Sequence, residues 1–124
     1  MLKPCTFFLT ALLFVFALIT PVYATDFEGE WVGHWRNSSG ESGRDTLSLH
    51  ESHNEGLKGT WSGNVRVWGN QTGEHSIRLH GKRDDGVSYD IRAHGKHGKL
   101  DLHYNATRVD GSTYEGWSDL HRRD

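Results

Sequence analysis

Apolar and polar residues alternate with a period of two along much of this chain. Thr46-Leu47-Ser48-Leu49-His50, Ser76-Ile77-Arg78-Leu79-His80, Asp90-Ile91-Arg92-Ala93-His94 and Leu100-Asp101-Leu102-His103-Tyr104 all follow it, and that spacing sends every second side chain to the same face of a β-strand. No stretch carries the apolar stripe of an amphipathic helix. Turn-forming residues interrupt the alternation at Asn37-Ser38-Ser39-Gly40, Asn54-Glu55-Gly56, Ser62-Gly63-Asn64, Gly69-Asn70, Asp84-Asp85-Gly86, His97-Gly98 and Asp110-Gly111. These signals separate eight short strands, expected near 30–36, 45–51, 57–62, 64–68, 75–82, 88–95, 99–107 and 112–120. A meander with no helix to cover a sheet face must close or fold on itself. The expected fold is therefore all-β: a single antiparallel eight-stranded up-and-down barrel or a flattened β-sandwich. Parity directs Trp31, Trp35, Leu47, Leu49, Leu57, Trp61, Val65, Val67, Ile77, Leu79, Tyr89, Ile91, Leu100, Leu102 and Tyr104 inward.

The first 24 residues have a different character. Lys3 precedes an almost unbroken apolar run from Phe7 to Ile19, and Val22-Tyr23-Ala24 supplies a small residue where a signal peptidase cuts. The run is shorter than the ~20 residues needed to span a bilayer as a helix. We expect 1–24 to be a signal peptide and 25–124 to be one small exported domain, periplasmic or extracellular, with no transmembrane segment. Cys5, the sole cysteine, leaves with the signal, so packing, a bound ligand or oligomerisation must hold the domain without disulfides.

Composition sharpens this picture. Only 25 of the 100 residues after Ala24 are apolar, yet they include all five Trp and three of the four Tyr. Aromatic rings bury a large area each, so the core should be thin and Trp-rich. The same 100 residues carry 13 basic and 16 acidic side chains, a formal charge of −3, with no basic run longer than two. That balance argues against nucleic acid as a partner.

Gly29-Glu30-Trp31 opens the first strand, Arg122-Arg123 follow the last, and Leu57-Lys58-Gly59-Thr60-Trp61 is similar to the third strand of avidin-type barrels. Together these segments resemble the calycin pattern of lipocalins and avidins, over about a third of the exported domain. The resemblance implies a barrel whose Trp31 is packed at the closed end by a basic residue, the guanidinium stacking on the indole. The chain departs from the pattern in two ways. It has no room for the long loops and flanking helix of a lipocalin, and Gly33 stands where avidins carry a polar ligand-binding residue. The ligand is thus left open, and any cavity should be aromatic and polar.

Nine histidines in the exported domain invite a metal reading. His80, His94 and His103 lie on three successive strands and form one candidate set, since imidazole is a common zinc and copper ligand. His50 and His53 form another, but residues three apart on a strand point to opposite faces. Register opposes the trio. A two-residue turn at His97-Gly98 pairs 94 with 101 and 92 with 103, and face parity then pairs 80 with 90 and 78 with 92. Diagonal neighbours on a sheet are ~7–8 Å apart, too far for zinc–nitrogen bonds of ~2.0–2.1 Å to gather. The expected role of these imidazoles is the solvated face of a sheet.

No G-x-S-x-G nucleophile turn, phosphate-cradling glycine loop or cofactor motif is present, and Asp84-Asp85 sits in a turn where Asp has a backbone role. Neither a cofactor nor a catalytic activity is expected. Trp68 and Trp117 point away from the core by parity; such rings close an interface or stack on a sugar, unless a strand bulge returns them inward. The leading expectation is a noncatalytic binding module for a small molecule or glycan, with Trp31, Trp35, Trp61, Trp68 and Trp117 as candidate ligand contacts. A protein–protein interaction domain, such as an envelope component or enzyme inhibitor that could also self-associate, is the alternative. A small metal-dependent enzyme built on the histidine surface is the third.

Overall fold

The computed structural model of the chain describes residues 26–53 and 56–123; the signal-peptide expectation for 1–24 lies outside them. Eight strands follow one another: β1 (Gly29–Asn37), β2 (Ser42–Glu51), β3 (Gly56–Trp61), β4 (Val65–Gln71), β5 (Ser76–Arg83), β6 (Ser88–Lys96), β7 (Lys99–Thr107) and β8 (Thr113–Arg122). Each pairs antiparallel with its sequence neighbour, and β8 returns to β1, so the sheet closes into a barrel rather than a sandwich. Among the described residues closure leaves no edge strand to template aggregation.

The hairpin at His97-Gly98 has the expected register. Both residues take left-handed backbone angles, φ 55° and 75°, as a two-residue turn that continues the strand twist requires. His94 therefore faces Asp101 and Arg92 faces His103, while His80 faces Asp90 and Arg78 faces Arg92.

Gly69-Asn70 is not a turn, contrary to expectation: both belong to β4, opposite Leu79 and Arg78, and the connection falls at 72–75. The physical reason is barrel curvature. A Cβ at Gly69 would overlap the Arg78 carbonyl oxygen, and Cβ atoms at Gly33 and Gly59 would overlap the Asp119 and Ser48 carbonyls. These inward-facing glycines let neighbouring backbones approach more closely than a side chain would allow.

The parity assignments place the core. Of the side chains expected inside, all but Trp35 are buried, joined by Phe27, Val87, Ala93, Ala106 and Leu120. So few apolar residues suffice because rings pack over glycines: Phe27 over Gly95, Trp35 against Gly43 and Tyr104 over Gly116.

One end of the barrel is plugged. The Trp31 indole is 1% exposed and donates to the Phe27 carbonyl at 3.1 Å. The Arg122 guanidinium lies 4.4 Å above its ring and donates to the carbonyls of Glu28 and Asp26. This is the stacking of a basic residue on Trp31 that the resemblance implied, with Arg122 as the last residue of β8.

Candidate functional site

The other end of the barrel is open. Trp61 at the end of β3, Tyr89 at the start of β6 and Tyr104 late in β7 converge there. Tyr89 and Tyr104 stand edge-on to Trp61, with ring centroids 5.0 and 4.8 Å away. Above them Trp35, Tyr114, Arg83, Arg108, Asn37, Glu41 and Asn64 form a rim around a cavity of about 350 Å³, a size suited to a small ligand.

A buried carboxylate holds the cavity floor. Asp45, 2% exposed, accepts the indole N–H of Trp61 at 2.7 Å. It also accepts the hydroxyls of Ser62 and Ser118, each at 2.6 Å, and the Thr46 backbone N–H at 2.9 Å. Four donors thus meet its two oxygens, and among the described residues no buried side-chain polar atom is left without a partner. The alternation holds a signal for both partners: Asp45 shares the inward parity of Leu47, and Ser118 that of Leu120.

The rim is polar and pre-positioned. Arg83 forks onto Asp85 at 2.8 and 2.7 Å and donates to the Tyr89 hydroxyl at 3.1 Å. The Asp85 hydrogen bond holds the guanidinium firmly protonated, and Arg83 in turn lowers the Asp85 carboxyl below its ordinary range. The Tyr89 and Tyr114 hydroxyls lie 3.3 Å apart, and Arg108 covers the Tyr114 ring at 4.4 Å. Burial, reinforced by the bond to Tyr114, raises the Tyr89 phenol. Burial also pushes Tyr104 up to about 12, with the nearby Tyr114, Asp45 and Glu41 adding to the rise. Both phenols therefore stay protonated near neutrality, able to donate as well as accept.

The five tryptophans do not share one site. Trp35 and Trp61 line the open end, Trp31 plugs the closed one, and Trp68 and Trp117 stand on the outer wall. Trp68 is 45% exposed. Trp117 is half-buried, stacked on His103 at 5.5 Å with Arg36 above it at 5.6 Å. Tyr114, Arg83, Arg108 and Glu41 also line the mouth, and no sequence pattern marks them, because turns bring them together from separate hairpins.

His80, His94 and His103 are not brought together. They sit opposite Asp90, Asp101 and Arg92 respectively, and His103 meets Glu115 at 3.0 Å. Among the described residues, three ligating side chains converge within 4.8 Å only at Asp26, Glu28 and Glu51, an exposed acidic group beside the plugged end.

No family model and no curated protein sequence matches the chain. Solved structures do match its fold. The barrel EF1p2_mFAP2b bound to DFHBI superposes with a TM-score of 0.61 at 10% identity, over 77% of this chain and 93% of that one. A de novo designed fluorescence-activating β-barrel gives 0.58 at 18% identity, over 78% and 94%. The redesigned barrel mFAP1 bound to DFHBI gives 0.55 at 14%, over 77% and 94%. At these identities the likeness is one of fold: a small, closed, antiparallel β-barrel.

Proposed function

We propose that this chain is an exported, noncatalytic binding module of calycin-like design, and that its open barrel end takes a small, flat, partly polar molecule. The observation that carries the reading is the mouth itself: three aromatic rings packed edge to face beside a cavity of about 350 Å³, ringed by protonated phenols and two arginines. Flat ligands gain stacking area there, and the hydroxyls fix their orientation. The Tyr104 hydroxyl has no hydrogen-bond partner among the described residues, so it can serve a ligand without breaking a protein contact. The plugged end supports the calycin-like reading, since Trp31 and Arg122 stand as that pattern implies. Two barrels of the same fold are solved with DFHBI bound, which supports the capacity of such a barrel to hold a small molecule.

The test is a fragment titration followed by nuclear magnetic resonance, with Tyr104→Phe as the control. Small aromatic compounds bearing a hydrogen-bonding group should move the Trp35 and Trp61 indole signals, and the variant should weaken them. Compounds that shift only the outer-wall tryptophans would count against the mouth.

A further inference from the structure

The outer wall over β3, β4 and β5 carries a second feature, unconnected with the barrel interior. Lys58, Trp68 and His80 stand side by side across the three strands, and Thr60, Arg66 and Lys82 form the adjacent row. All six side chains are exposed. Between them and β2 runs a shallow groove of about 640 Å³ floored by the backbone at Gly59 and Val67.

The charge here runs against that of the whole chain, which is formally −2. Arg66 and Lys82 are direct cross-strand neighbours, an arrangement that costs stability when nothing neutralises it. Elsewhere on the barrel the same problem is solved internally. Arg78 faces Arg92, and Asp90 clamps Arg78 with two bonds of 3.2 and 3.1 Å. Lys58, Arg66 and Lys82 have no carboxylate partner among the described residues. An unpaired cation cluster beside an exposed indole is complementary to a ligand with anionic groups and a flat apolar face.

We propose that this wall is a binding site for a polyuronate chain. Trp68 stacks on the apolar face of one pyranose ring, and Lys58, Arg66 and Lys82 pair with the carboxylates of that unit and its neighbours. Spacing suits such a ligand: cross-strand side chains lie ~5 Å apart and successive same-face positions ~7 Å apart, so the cations sample a repeat of one charge per sugar. An anionic membrane fits less well, because Trp68 is the only large apolar side chain exposed on this wall; Val109, the other one among the described residues, belongs to the β7–β8 turn. Single-stranded nucleic acid calls for successive aromatic platforms, and one indole stands here.

The experiment is a calorimetric titration of the chain from residue 25 to 124 with hexagalacturonate, its methyl-ester counterpart, a heparin hexasaccharide, oligo-dT and phosphatidylserine vesicles. Hexagalacturonate should bind, and the neutral ester should not. Trp68→Ala and the triple variant Lys58→Gln/Arg66→Gln/Lys82→Gln should each weaken binding about tenfold or more, with the barrel still folded; the triple variant, relieved of the Arg66–Lys82 repulsion, should melt no lower than the parent. Tyr104→Phe, in the mouth, should leave the hexagalacturonate affinity as it was, so failure of this site is distinguishable from failure of the mouth. The proposal is overturned if hexagalacturonate does not bind or if Trp68→Ala binds it normally. Equal or tighter binding of heparin, oligo-dT or vesicles to the same side chains also overturns it.

Discussion

Asp45 on β2 accepts the indole N–H of Trp61 on β3 at 2.7 Å, and both side chains are buried. That one bond ties the thin core to the open end, because Trp61 carries Tyr89 and Tyr104 on its edges. Replacing Asp45 by Ala leaves the indole N–H and the Ser118 hydroxyl without an acceptor in a dry environment. Unpaired buried donors cost ~1–3 kcal/mol each, so Asp45→Ala should lower unfolding stability by about 3 kcal/mol in urea titration. Asp45→Asn keeps an acceptor for Trp61 but not for all four donors, and should cost less.

The closed end makes a second prediction. Arg122 stacks on Trp31 at 4.4 Å and donates to two backbone carbonyls. Arg122→Ala removes the stacking and those bonds together and should destabilise by about 1–2 kcal/mol. Arg122→Lys should recover only part, since an ammonium cannot reproduce the planar fork. A thermal melt of the three proteins orders them.

Much of the barrel was legible in the chain because alternation and turn chemistry act locally. Strand number, the His97-Gly98 register and most of the core follow from parity, which burial of one face enforces. Gly69-Asn70 misled because a glycine that relieves a close backbone approach looks, in one dimension, like a glycine that turns the chain. The candidate site was legible only in its chemistry: aromatic and polar, with Trp35 and Trp61. Its rim depends on which hairpin ends share a barrel end, and only the three-dimensional closure of β8 on β1 brings Glu41 and Asn37 next to Tyr114 and Arg108.

The bending glycines are themselves testable. At Gly59 a Cβ would overlap the Ser48 carbonyl, and no side-chain rotation relieves a clash with backbone. Gly59→Ala should cost about 3 kcal/mol or more, whereas Lys99→Ala on an exposed strand end should stay within ~0.5 kcal/mol. Guanidinium unfolding of both variants makes the comparison.

Alkaline titration probes the mouth. Burial raises Tyr104 to about 12 and raises Tyr89 in the same sense, while an unfolded tyrosine ionises near ~10. Above that pH the unfolded chain gives up protons that the folded chain keeps, so stability falls as pH rises from about 10 toward 12. It is fully present below pH ~10. Phenolate absorbance should show Tyr89 and Tyr104 ionising late and together with loss of the fold; early, reversible ionisation of these two would contradict their buried placement.

Export is checked by expressing residues 1–124 in a secreting host and weighing the product. A chain beginning at Thr25 is the expected mass, and an uncut chain retained in the cell would remove the signal-peptide reading.

The most direct test of the account is the fragment titration of residues 25–124 read at the five indole N–H resonances. Binding at the open end predicts that small aromatic compounds shift Trp35 and Trp61 in concert and leave Trp31, sealed beneath Arg122, unmoved. If no compound shifts Trp61 at millimolar concentration, or if the shifts fall at Trp31, the open end is not a ligand site.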